Sequence, residues 1–78
     1  MEITKTEQIF KSNLKYLRES KGISKYKLSS LIGIDFSYYC RLEKPDRSIV
    51  PRFKTLEQIA NFYKIPVDYL FCAKEIWN

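Results

Sequence analysis

KLSSLIGIDFSYYCRLE occupies residues 27–43. Leu28, Leu31 and Ile32 share one helical face, and Gly33 interrupts it. Asp35 then opens a second run, in which Phe36, Tyr39 and Leu42 return at helical spacing. Asp is a preferred N-cap, and a glycine lacking Cβ permits a left-handed turn. The stretch therefore reads as two short helices crossing at a tight bend. Lys25 to Lys44 is the length of a helix-turn-helix, in which two helices meet at about 90–120°. Ser29 supplies the small residue at the close approach, and Leu28, Ile32, Ile34, Tyr39 and Leu42 supply the apolar crossing. Such a bend leaves the second helix free to stand out from the body and enter a groove.

Working outward, Thr4 and Glu7 form a capping box ahead of Phe10, Leu14 and Leu17, and Gly22 ends that first helix. Ser24 caps the second helix. After the third, KPDRSIVP (44–51) is a loop, because Pro45 and Pro51 oppose helix and Asp46 suits a turn. Phe53, Leu56, Ile59, Ala60 and Tyr63 mark a fourth, one-sided helix. Pro66 sits at the first turn of a short fifth, VDYLF. The expectation is an all-α, compact five-helix domain covering residues 1–78 without linker or repeat.

Composition bounds what such a domain does. Of 14 Lys and Arg, 12 fall within residues 1–54, against 6 of the 9 acids. The positive field is one-sided, which favours a polyanionic partner. There is no histidine, and Cys40 and Cys72 have neither metal-ligand nor disulfide-framework spacing. Both cysteines read as small packing residues, and no metal or cofactor is expected. The sequence carries no phosphate-loop or nucleophile-elbow motif, and Cys40 has no histidine base, so an enzyme is not expected. No apolar run reaches spanning length and the N-terminus lacks a signal-peptide pattern, so the expected setting is cytoplasmic, with no membrane partner.

The stretches NLKYLRESKGIS, KLSSLIGID, YYCRLEK, PRFKTLEQIA and IPVDYLF together resemble the lambda-repressor-like helix-turn-helix domains of phage repressors and bacterial regulators (Cro/C1-type, XRE family). The resemblance covers roughly residues 9–71, and PRF after Glu43 is similar to the lambdoid phage repressors in particular. It implies that Lys25 and Lys44 touch phosphate, that Phe36, Ser37 and Arg41 face base edges, and that Arg52 approaches the minor groove. It also implies an ion pair, Arg18 with Glu43, joining helix one to helix three. Four departures stand out. Lys25 replaces a usual Gln, Phe36 replaces a polar reader, the loop before Pro51 is slightly longer, and Tyr39 replaces Ile or Val. The Tyr39 ring must either tilt outward or enlarge the core.

Each candidate has a plain alternative. Arg41 either reads guanine, for about 1–3 kcal/mol of discrimination, or is a solvated surface arginine. Ser37 meets a base, a phosphate or water. Phe36 meets a thymine methyl or folds back on its own domain. The Tyr38 hydroxyl reaches phosphate or is simply exposed. Arg47, Arg52 and Lys54 join Lys25 and Lys44 in flanking the third helix. In the tail, 72–78, Ile76 and Trp77, with Phe71 before them, either pack back on the core or form a two-fold dimer contact.

Two functions follow. The first is a sequence-specific regulator of transcription, a repressor by expectation, bound to double-stranded DNA as a homodimer on a near-palindromic operator. Concentration, proteolysis or a regulatory protein partner would control it. The alternative is an antitoxin-like or phage-encoded adaptor that docks protein through Tyr26, Phe36, Tyr38 and Tyr39, since aromatics enrich protein interfaces.

Overall fold

A computed structural model of the chain describes residues 3–73. Helix α1 runs Lys5–Ser20, α2 Lys25–Ile32, α3 Phe36–Glu43 and α4 Phe53–Tyr63. The segment Val67–Phe71 is a 3-10 turn, so four α-helices replace the expected five. With Pro66 ahead of it and extended backbone at Cys72 behind, this five-residue segment never closes the wider α-helical ring.

The expected caps form. The Thr4 Oγ1 accepts from the Glu7 N–H while the Glu7 carboxylate accepts from the Thr4 N–H. Ser24 accepts from the Lys27 N–H, and Asp35 from the Tyr38 N–H. Gly33 lies in the left-handed region at φ 75°, and Gly22 does so at φ 65°. Thus α2 stops at a residue free to turn, and two residues later α3 starts on a carboxylate that satisfies one of its unpaired amides.

The core joins Phe10, Leu14 and Leu17 of α1, Leu28 and Ile32 of α2, Tyr39 and Leu42 of α3, Leu56, Ile59 and Ala60 of α4, and Leu70. Tyr39 is wholly buried, which decides between its two expected placements: the ring enlarges the core. Two apolar residues assigned to inward faces are corrected. Leu31 is 52% exposed and Phe53 72% exposed. Leu31 falls on the outer edge of the short α2, and Phe53 starts α4 before that helix meets the body.

Two polar contacts tie outlying segments to α1. Asn13 Nδ2 donates to the carbonyls of Leu70 and Cys72 at 2.9 and 2.8 Å, tying the 3-10 turn to α1. The loop after α3 is tied to α1 by the Ser48 hydroxyl, which donates to Glu7 Oε2 at 2.6 Å. That bond, ahead of those from Thr4, holds the Glu7 carboxyl below its ordinary pKa.

Candidate nucleic-acid interface

Helix α3 buries one side and presents the other. Tyr39, Leu42 and Glu43 face inward, whereas Phe36, Ser37 and Lys44 are exposed and Tyr38, Cys40 and Arg41 half-buried. The helical spacing puts Ser37 and Lys44 along the outward crest, with Tyr38 and Arg41 on one flank and Cys40 on the other.

A groove lies along each flank. Toward α4, a cavity of about 410 Å³ is lined by Tyr38, Arg41, Arg52, Lys54, Asp35 and the Gly33 turn, among others. Toward α1, a groove of about 800 Å³ is lined by Lys11, Lys15, Arg18, Lys25, Cys40 and Lys44, among others. The one carboxylate of this second groove is Glu43, already bonded to Arg18 and Tyr39. An exposed helical crest therefore stands between two basic channels.

The crest is braced from several sides. Arg18 Nε and Nη2 donate to Glu43 at 2.8 and 3.2 Å, and Nη1 donates to the Ile23 carbonyl at 2.9 Å. One guanidinium thus fixes α1 to both α3 and the α1–α2 connection. Hydrogen bonding to Glu43 raises the Arg18 pKa further. The Tyr39 hydroxyl donates to Glu43 Oε2 at 2.5 Å. On the α4 side, the Arg52 N–H donates to the Tyr38 hydroxyl at 2.9 Å, and the Arg52 guanidinium lies 5.2 Å from that ring's centre. Gln58 Nε2 donates to the Ile32 carbonyl at 3.1 Å, fixing the bend to α4.

The other candidates fall as follows. Phe36 meets Tyr26 edge-on, with ring centres 5.7 Å apart, and remains 44% exposed. Lys25, the first residue of α2, lines the α1-side groove, whereas Arg47 is exposed in the loop and lines neither channel. Phe71 stacks on Phe10 with ring centres 5.0 Å apart, so its ring is used within its own fold. Ile76 and Trp77 lie outside the described residues. Both cysteines are free thiols, and among the described residues no three His, Cys, Asp or Glu side chains gather as a metal set.

Sequence reasoning overlooked Lys11 and Asn13. Both are buried on α1, and both sit in phase with its apolar stripe, three or four residues from Leu14, Phe10 or Leu17. A polar residue at an inward phase was the available signal. The Tyr38–Arg52 contact gave none, because nothing local ties an α3 tyrosine to a loop amide 14 residues on.

Two short helices meeting at a left-handed glycine, the second held proud, define a helix-turn-helix. The family of helix-turn-helix domains matches over residues 12–76, and the chain belongs to it. No curated protein and no solved structure matches the chain. No helix among the described residues is long and apolar enough to cross a membrane.

Proposed function

We propose that this protein is a sequence-specific, double-stranded-DNA-binding transcriptional regulator of the Cro/C1 (XRE) kind, working inside the cytoplasm. The exposed crest of α3 between two basic channels carries this reading. A B-form major groove is about 12 Å wide and bordered by two phosphate backbones. A helix seated in it needs a crest for the bases and cations on either side for the backbones. Arg41 and Ser37 read base edges, with Phe36 placed for a thymine methyl. Lys25, Tyr38, Lys44, Arg47 and Arg52 hold phosphates, Arg52 also lying where it approaches the minor groove. Tyr38 can do this while accepting from Arg52, because its own O–H proton remains available to donate.

In this reading the domain binds and does not catalyse. Two copies pair on a near-palindrome, placing their α3 helices about 34 Å apart in successive major grooves. Repression by occluding polymerase is the simplest output. Selection from random duplex DNA, repeated with Arg41→Ala, tests it. The expected result is an enriched palindrome whose guanine preference relaxes in the variant. Sedimentation with and without the selected duplex reports the pairing.

The exposed Tyr26–Phe36 pair supports a second reading, an adaptor that docks protein. Salt separates the two. Five cationic phosphate contacts, Lys54 joining Lys25, Lys44, Arg47 and Arg52, give a log–log slope of about −4 to −5. An interface centred on aromatics responds far less.

A further inference from the structure

Lys11 is a charged residue only 4% exposed, placed in α1 one turn before the core residue Leu14. Its ammonium donates to the main-chain carbonyl of Arg41 at 3.0 Å and to that of Leu42 at 3.1 Å. Helix α3 ends at Glu43, so these carbonyls belong to its last turn, where intrahelical partners run out. A cation there also meets the negative end of the helix dipole. Burying an ammonium is costly, and burial pulls the Lys11 pKa below its ordinary value, opposed by the nearby charges of Glu7 and Asp46. A neutral apolar side chain would fill the same site without that cost. The position is instead occupied by a group whose bonds go to the backbone of the residue assigned to read guanine.

We propose that Lys11 is a positioning residue for base recognition: its ammonium pins the C-terminal turn of α3, fixing where the Arg41 side chain leaves the crest. The Arg18–Glu43 pair holds the same turn through a side chain. The two bonds from Lys11 go instead to consecutive main-chain carbonyls, one of them that of Arg41 itself. Bidentate contact with a base tolerates little misplacement, whereas a phosphate ion pair tolerates much. Lys11 therefore acts on discrimination more than on affinity. This rests on the DNA-reading proposal above.

The test uses the full chain with Lys11→Met, which keeps length and loses all donors, and Lys11→Gln, which keeps a neutral donor. Each is first checked for a native helical spectrum and a melting transition above the assay temperature. Binding is measured on the selected operator and on one with the Arg41-dependent base pair changed, across a range of salt. The ratio of the two affinities is expected to fall about tenfold in Lys11→Met and less in Lys11→Gln. The salt slope stays that of the wild type, since no phosphate contact is lost. Lys11→Met combined with Arg41→Ala discriminates no worse than Arg41→Ala alone. Unchanged discrimination in folded Lys11→Met, or a loss in Lys11→Gln as large as in Lys11→Met, overturns the proposal. So does an equal loss on both duplexes with a flatter salt slope, which makes Lys11 itself a phosphate ligand. Wild-type protein with no base preference fails earlier and differently, removing the DNA-reading proposal and this one with it.

Discussion

Glu43 shows how one buried carboxylate organises a small fold. It is 6% exposed and accepts from Arg18 twice and from Tyr39 once. Removing it strands a guanidinium and a buried phenol, a loss of about 3–5 kcal/mol for a buried pair. Glu43→Ala is therefore expected to melt well below Lys44→Ala, whose side chain is exposed. Equal melting temperatures in calorimetry would refute the assignment. The two core tyrosines differ in the same terms. The Tyr39 hydroxyl is bonded, while the Tyr63 hydroxyl is buried with no hydrogen-bond partner among the described residues. Tyr39→Phe should destabilise by about 1–3 kcal/mol because it leaves Glu43 under-satisfied. Tyr63→Phe should leave stability unchanged or raise it, by deleting a desolvated hydroxyl that gains nothing in return. Denaturant midpoints of the two variants give the comparison directly.

At the scale of elements, α2 and α3 have eight residues each, too few to persist alone in water. Their ends are accordingly well made. Gly33 has nothing within 4 Å of where a Cβ would stand, so Gly33→Ala meets no clash. Its cost is purely that of a side chain in left-handed backbone, about 1–2 kcal/mol. Helix α4 ends less comfortably. The residue that caps it, Lys64, occupies the left-handed region at φ 58° without being glycine. Lys64→Gly should stabilise by about 0.5–1 kcal/mol, raising the melting temperature as surely as Gly33→Ala lowers it. A drop in Lys64→Gly would mean the lysine stem packs more than its backbone strains.

Across the whole molecule, charge and burial set the response to pH. Burial, and then the bond to Glu43, push the Tyr39 phenol well above its ordinary 10.0. Burial pushes Tyr63 up to about 12. A raised phenol pKa means the folded chain keeps a proton the unfolded chain releases, so this stabilisation is complete below pH 10 and lost as pH climbs through about 12. Lys11 works oppositely, its lowered pKa favouring the fold as pH rises toward 10.5. Two phenols against one ammonium predict net alkaline loss. Urea titrations between pH 8 and 11.5 should show stability falling beyond about pH 10, with a shallower fall in Tyr39→Phe.

Legibility followed the distance between partners. The Thr4–Glu7 box, the Ser24 and Asp35 caps and the Gly33 bend were all readable, because each joins residues at most a turn apart whose types suit one backbone geometry. The Arg18–Glu43 pair lies 25 positions apart and came through family likeness, not spacing. Lys11 reaches the α3 carbonyls 30 and 31 positions on, and Asn13 spans 57 to Leu70. The fifth helical segment forms at its expected residues, Val67–Phe71, but as 3-10 and not α, because five apolar-rich residues after a proline fit an α-turn and a 3-10 turn equally. Local chemistry was thus enough to specify the helices, their ends and the bend that makes the domain a helix-turn-helix. Only the folded chain decided that the outward side of α3 lies between two basic channels, that the Tyr39 ring enters the core, and which buried polar groups hold the helix there. The reason is physical: a cap is satisfied by its own neighbours, whereas a buried ammonium or amide finds its carbonyl only once distant segments are packed together.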